Sequence, residues 1–300
     1  MTHMPFEVVK LTENVYHLQS GANVGLIVAD GRALVIDAGL DEEMGRRIKR
    51  TLESLGVSLA ALLLTHGHAD HFGGAAYLRR NLPPFAVYAP PLEAAFISQP
   101  TLEGMMLSAG AAPIDQLKGK FTLAQPCAVD HPLEVGTLNL LGLELEIVPL
   151  AGHSPSQVGV RYGDILFSAD AFLPVATLQK YPVPFTVHMA QALETLRRLS
   201  ALDGVLFAAG HGAQLSDARE VIAANIAVLE RLIAMTLERV RAAPANDGTL
   251  TQQVCAALGD SLPNAVSYGL ARTAVQAALV YLYERAQVTF EAGGLWRAVL

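Results

Sequence analysis

Apolar and polar positions along the chain fall into two kinds of pattern. In the first two-thirds, short runs with period-two alternation or unbroken apolar character predict strands over residues 6–10, 15–19, 24–29 and 33–36. Asp30-Gly31 between the last two is a two-residue hairpin signal. Asp41 then predicts the N-cap of a helix that runs to about residue 55, with Gly56 as terminator. An apolar strand at 59–64, a short helix opened by Gly73-Gly74 and ending near 81, and a strand at 86–88 follow. From 91 to 125 the pattern changes to two short apolar helices, 93–98 and 102–109. Strands return at 138–141, 143–148, 158–162 and 165–168, the last two turning on Gly163-Asp164. A proline-punctuated loop leads to a helix over 187–200 and a strand over 205–208.

The second pattern is helical. Val221, Ile222, Ile226, Leu229, Leu232, Ile233, Leu237 and Val240 recur at helix spacing and predict one long amphipathic helix over 217–241. A break at 244–248, a helix capped by Thr249 and a helix over 264–284 follow. A hairpin of 287–291 and 295–299 about Gly293-Gly294 closes the chain. Two domains are expected: 1–215, helices outside a sheet core with a helical insertion at about 91–125, and a helical module at 216–300.

Composition narrows the class of molecule. The 300 residues are 52% hydrophobic and 16% charged, enough for a large core. A net charge of −7 carries no footprint for nucleic acid or an anionic membrane. No uncharged apolar run reaches the ~20 residues of a spanning helix, and residues 1–19 show no signal-peptide pattern. Cys127 and Cys255 lack ligand spacing and are expected as buried thiols, so the expected compartment is the reducing cytoplasm. His3, His17 and His131 are expected in ordinary core or surface roles.

The chemistry starts where the 59–64 strand ends, at Thr65-His66-Gly67-His68-Ala69-Asp70-His71. Imidazole and carboxylate are ligands that divalent metals take. A loop turned at Gly67 can aim His66 and His68 at one ion, while the adjacent side chains of Asp70 and His71 diverge and suit a second. With nine histidines in 300 residues, this spacing would arise by chance in roughly one of a few thousand such chains. Four further strand ends carry Asp37, His153, Asp170 and His211, so ligands recur where a rigid scaffold would present them.

Together these residues resemble the signature of the metallo-β-lactamase fold superfamily: H-x-H-x-D-H at His66, His68, Asp70 and His71, then Gly152-His153, Asp170 and Gly210-His211, after an early Asp37. The resemblance covers about residues 6–215. It implies an α/β (α+β) protein, a four-layer αββα sandwich with two metals at the edges of its sheets. It further implies His66, His68 and His153 on one ion, Asp70, His71 and His211 on the other, Asp170 between them, and Asp37 orienting ligands from behind. Zinc is the expected metal, with iron or manganese compatible with the same donors. The implied reaction is hydrolysis by a metal-bridging hydroxide, with Asp70 orienting the nucleophile or moving its proton. Ser168-Ala169 depart from the Gly that many relatives place before the bridging Asp.

The presence of Asp170 argues against antibiotic hydrolysis, because β-lactamases of this superfamily generally carry Cys or Ser in that region. The leading expectation is a glyoxalase II-like hydrolase of a small ester or thioester. A phosphodiesterase or endoribonuclease of the lactamase-β-like type is the alternative, because three helices and a hairpin over 216–300 resemble a winged helix. That module holds seven Lys and Arg against eight Asp and Glu, which favours packing or homodimerisation over nucleic-acid binding. A lactonase comes third: Ala171-Phe172-Leu173 lacks the Tyr that quorum-signal lactonases carry after the bridging Asp. A flavodiiron reductase is disfavoured by His68, where those proteins usually have Glu, and by the lack of a flavin-binding segment. The 171–187 loop makes Tyr181, Phe185 and His188 candidate substrate contacts, and residues 91–125 either pack on the domain or form a lid.

Overall fold

The computed structural model describes residues 6–299, so His3 lies outside the described residues. Two compact units are present. The first comprises the chain up to Leu150, Ser156–Ala171 and Leu202–Ala218. The second comprises Ala151–Pro155, Phe172–Ala201 and the chain from Arg219 onward.

The first unit holds two sheets. One contains β1 (Glu7–Lys10), β2 (Val15–Gln19), β3 (Val24–Ala29), β4 (Arg32–Ile36), β5 (Ser58–Leu63), β6 (Ala86–Ala89) and β7 (His131–Pro132), in that spatial order. It is antiparallel through β4 and parallel from β4 onward. Asp30 and Gly31 both take positive φ, as a two-residue hairpin requires. The second sheet runs β12-β11-β10-β9-β8, from β8 (Gly136–Leu140), β9 (Leu143–Pro149), β10 (Val158–Tyr162), β11 (Ile165–Ala169) and β12 (Leu206–Ala209). In β9, Leu145 and Ile147 are buried while Glu144 and Glu146 are exposed, so period-two alternation sets which face turns inward.

Between the sheets, Ile27, Leu34, Ile36 and Leu63 meet Leu145, Ile147, Val160 and Phe167. A buried side chain of this kind contributes about 1.5–3 kcal/mol. On the outer face of the first sheet, α1 (Glu42–Leu55) packs Met44, Ile48 and Leu52 against Leu62, Leu64 and Val87. Asp41 caps α1 by accepting from the Glu43 and Met44 N–H groups, and Gly56 ends it at φ 67°, both as expected. A four-residue turn, α2 (Ala69–Phe72), and α3 (Ala75–Asn81) precede β6. The expected insertion forms α4 (Pro91–Ser98) and α5 (Thr101–Leu107), with Ile97 and Leu107 buried.

The second unit holds α6 (Val175–Lys180), α7 (Met189–Ser200), α8 (Arg219–Ala242), α9 (Asp247–Leu258), α10 (Ala265–Tyr283) and the hairpin β13 (Val288–Glu291) with β14 (Leu295–Ala298). The segment expected as one loop over 171–187 therefore contains a helix. Pro174 starts α6 rather than breaking it, because a proline at a helix start lacks only an N–H that would be unbonded anyway. The cap of α9 is Asn246, not Thr249: the Asn246 side chain accepts from the Thr249 N–H, so Thr249 lies inside the first turn. Asn225, buried in α8, pairs with both the N–H and the C=O of Leu173 and anchors the approach to α6. Cys127 and Cys255 are buried thiols, as expected. Among the described residues no helix is long and apolar enough to cross a membrane.

Candidate metal centre

Strands β4 and β5 lie side by side and parallel, so their C-terminal ends deliver Asp37 and the Thr65–His71 segment to the same edge. The Asp37 N–H donates to Leu63 O, and its side chain turns back beneath the loop. It accepts from the Thr65 N–H at 2.8 Å and the Thr65 hydroxyl at 2.9 Å. It also accepts from His71 Nδ1 at 2.9 Å. The Thr65 hydroxyl accepts in turn from His66 Nδ1 at 3.0 Å. Asp37 thus fixes His71 directly and His66 through Thr65, leaving the buried Nε2 of both rings as candidate ligand atoms. Asp37 takes φ 62°, a conformation that Asp tolerates better than most residues and that collects at functional sites. Thr65 stands in the sequence motif, but its relay role needs the fold to appear.

The second set comes from β11 and β12. Their pairing slips by one residue between Phe167 and Ala169, and Ala169 takes φ 46°. A bulge of this kind re-aims the following side chain, and here that side chain is Asp170. The departure from Gly noted at 169 is therefore accommodated with Ala in the left-handed region. Asp170 Oδ1 lies 3.3 Å from His71 Nε2, and its Oδ2 lies 3.2 Å from His211 Nε2. Asp70 Oδ2 stands 3.7 Å from the same His211 nitrogen. Candidate ligand atoms of Asp70, His71 and His211 all lie within 4.8 Å of one another, and Asp37, His66 and His71 are grouped as closely, with the Asp37 oxygens taken up by Thr65 and His71.

His211 is fixed from behind as His71 is, its Nδ1 donating to Gly21 O at 2.6 Å. Asn23 holds that turn: its amide donates to Ala209 O at 2.9 Å and Gly212 O at 2.7 Å, and its N–H to Gly210 O at 2.7 Å. Sequence reading missed Gly21 and Asn23, whose only local signal is that of a polar turn between two strands.

These residues fit divalent ions. His71 and His211 each spend Nδ1 on an oxygen and turn Nε2 toward carboxylates, the geometry of imidazole ligands with a fixed tautomer. Without a cation, protons must hold that cluster together. Burial opposes charge on His211, but Asp170 and then Asp70 hold its pKa at about 9. Burial likewise opposes charge on His71, yet Asp170 and Asp70 keep it well above the usual imidazole range. Asp170 stays well below the usual carboxylate range despite its burial, through His211 and His71.

Because His211 sits above the ~6.5 of an unfolded imidazole, its protonation stabilises the metal-free fold below about pH 6.5. That contribution is lost as pH rises through about 9. Chelator-treated protein should accordingly lose melting temperature between pH 6.5 and 9.5. Divalent metal should bind more tightly over the same interval, since it displaces the protons. A melting temperature that holds steady or rises in the chelated protein would contradict this linkage.

The remaining expected residues are placed as follows. His66 and His68 stand with ring centroids 4.6 Å apart, and burial lowers His68 to about 4 against the pull of Asp70 and Asp170. In the second unit, His153 follows Gly152 (φ 134°), and its Nδ1 donates to Phe185 O at 3.2 Å. Phe185 meets His153 through its ring as well, the centroids 5.6 Å apart and nearly perpendicular, and Tyr181 is 47% exposed. His188 is the N-cap of α7, its Nδ1 accepting from the Gln191 N–H at 3.4 Å. His17 is buried with Nε2 3.3 Å from Ala209 O, and burial lowers its pKa to about 4, while His131 is exposed on an edge strand; neither joins the cluster.

The family model for the metallo-beta-lactamase superfamily matches residues 19–211. Among curated proteins, a hydroxyacylglutathione hydrolase of Xanthomonas campestris is 26% identical over 194 residues, covering 64% of this chain and 61% of that protein. A protein of the same name from Xylella fastidiosa is 29% identical over 197 residues, covering 64% and 60%. The matches thus span about three-fifths of those relatives' length. Two solved structures share the fold along nearly the whole chain. A beta-lactamase domain protein from Burkholderia ambifaria has a TM-score of 0.77 at 18% identity, covering 98% of this chain and 94% of that one. A metallo-beta-lactamase family protein from Thermus thermophilus has a TM-score of 0.72 at 19% identity, covering 97% and 100%.

Proposed function

The chain belongs to the metallo-β-lactamase superfamily, and on that footing we propose that it is a dinuclear metal-dependent hydrolase of a small ester or thioester, glyoxalase II-like in its chemistry. The observation that carries the reading is the arrangement of Asp170 between His71 and His211 with Asp70 beside them, each imidazole fixed through its far nitrogen. In this reading His66, His68 and His153 would hold one ion, Asp70, His71 and His211 would hold the other, and Asp170 would serve both. Zinc suits the mixed nitrogen and oxygen donors best, and iron or manganese would also be accepted. Bound there, the ions would act as Lewis acids and lower the pKa of a water from ~15.7 towards 7.

The chain's own residues supply the rest. Asp37 and Thr65 keep the His66 and His71 rings in one tautomer, so their Nε2 lone pairs stay aimed at the site. The second carboxylate oxygen of Asp70 accepts a proton of the attacking water and orients it. As the water oxygen bonds to the carbonyl carbon, the acyl–sulfur or acyl–oxygen bond breaks and the proton passes to the leaving group. His188 is proposed to touch substrate through Nε2, since its Nδ1 is spent on the α7 cap. The acyl substrate class is supported by the named activity of the curated relatives, and the net charge of −7 speaks only against a polyanionic nucleic acid.

A phosphodiesterase or ribonuclease is the second reading, favoured by the three helices and hairpin of α8–α10 and β13–β14. A panel on metal-analysed protein decides between them: a glutathione thioester, an acyl lactone, an activated phosphodiester and RNA. Thioester or ester turnover with two metal equivalents is the expected result. Turnover of the phosphodiester or RNA alone would overturn the acyl reading, and lactone turnover alone would move the protein to the third class.

A further inference from the structure

Two buried carboxylates outside the ligand set converge on the metal loop. Glu93, on α4, is 1% exposed and Glu103, on α5, is 6% exposed. Glu93 Oε2 accepts from the Gly67 N–H at 2.9 Å, between the ligands His66 and His68. Its other oxygen, Oε1, accepts from the Ser156 N–H at 2.7 Å and lies 3.3 Å from the Ser156 hydroxyl. Ser156 lies three residues after His153 in sequence. Glu103 accepts from the Ala69 N–H, between His68 and Asp70, and burial with the nearby Asp70 raises its pKa well above the usual carboxylate value. Helix α4 also presses on the loop: a Cβ at Gly67 would stand 2.6 Å from Phe96 Cβ and 3.2 Å from Glu93 O.

A carboxylate taken out of water is costly unless its oxygens are fully bonded, and backbone N–H groups are strong partners for it. The pattern along the loop is regular. The non-ligand residues Gly67 and Ala69 give their N–H groups to the insertion, while His66, His68 and Asp70 alternate with them. Such bonds fix the backbone torsions on either side of each ligand, and partners behind a metal site of this kind typically carry 10–100-fold of its affinity.

We propose that Glu93, supported by Glu103, is a positioning residue that locks the His66–Asp70 loop in its ligating conformation, so that the segment 91–125 is part of the metal site and not only a lid over it. This rests on the dinuclear reading above. The two carboxylates differ in what a substitution should do. Glu93 receives the Gly67 N–H on one oxygen and the Ser156 N–H and hydroxyl on the other, so an amide would set its NH2 against one of the two backbone N–H groups. Glu103 receives one, and an amide oxygen can replace it.

Zinc affinity by competition with a chromophoric chelator, and the visible spectrum of the cobalt-substituted protein, test this in full-length E93Q, E103Q and E103A. E93Q should bind zinc about 10–100-fold more weakly and shift the cobalt bands, with the melting temperature of the metal-free protein close to wild type. E103Q should stay near wild type and E103A should fall. Wild-type zinc affinity and cobalt spectrum in E93Q would overturn the proposal while leaving the metal site standing. So would a loss of affinity matched by equal destabilisation of the metal-free protein. Wild-type protein that takes up no metal would overturn the dinuclear reading and this inference with it.

Discussion

Asp170→Asn is expected to cut kcat/KM on the thioester by on the order of 10³-fold or more and to reduce bound metal from two ions to one or none. The substitution preserves volume, so the effect isolates charge. The two carboxylate oxygens face His71 Nε2 at 3.3 Å and His211 Nε2 at 3.2 Å, in a pocket where Asp170 is only 6% exposed. An amide offers an oxygen to one side and an NH2 to the other, so it cannot serve two ions. Loss of one preorganised electrostatic contact commonly costs 10²–10³-fold, and on the proposed dinuclear reading a shared ligand would be lost as well. The metal-free variant carries a second signature. Asp170 is the group that most raises the pKa of His211 to about 9, so the His211 imidazole should titrate at lower pH by NMR. Two tightly bound ions and wild-type turnover in the Asn variant would show that Asp170 is not shared.

Gly210→Ala should strike the candidate metal site directly through a single added methyl. Its Cβ would fall inside the contact distance of Asp170 Oδ1, 2.8 Å from His71 Cε1 and 3.0 Å from the Ala169 carbonyl carbon. The obstacle is space rather than backbone torsion, since Gly210 is not among the glycines with positive φ. Two of the three neighbours belong to the ligands themselves, so relief can come only by moving them. Overpacking of this kind costs about 1–3 kcal/mol, and ligand displacement should lower metal affinity by at least about tenfold, by comparison with the loss of partners that merely orient ligands. Gly119→Ala is the matched control, because a Cβ there meets nothing within 4 Å, and it should leave melting temperature and metal affinity unchanged. Equal behaviour of the two variants would remove the close-approach argument.

Much of the site was legible before any fold was known, for a physical reason. Ligands of a metal are held at the ends of rigid strands, and strand ends are marked locally by apolar runs that stop at Gly, Asp or His. That is why Asp37, His66, His68, Asp70, His71, Asp170 and His211 could be named together as candidates, while the place of Asp37 behind the others was what the family resemblance implied. The structure gave that role its content: one carboxylate steadying His71 directly and His66 through the Thr65 hydroxyl. Helix boundaries were less legible. Pro174 looks like a breaker but starts α6, and Thr249 looks like a cap but sits inside a turn capped by Asn246. Local propensity ranks such residues without knowing which register the tertiary contacts select.

By itself the sequence determined the strand-and-helix order and the residues able to ligate, because these depend on side-chain type and on short-range period, and the class of chemistry followed from the family that those residues resemble. Only the tertiary structure decided what stands behind each ligand. Gly21 and Asn23 reach His211 and its turn across about 190 residues of chain, and Glu93 reaches Gly67 and Ser156 from a helix whose own pattern reads as plain packing. Their bonds run to backbone groups, which every residue possesses, so no side-chain pattern at the receiving end announces them.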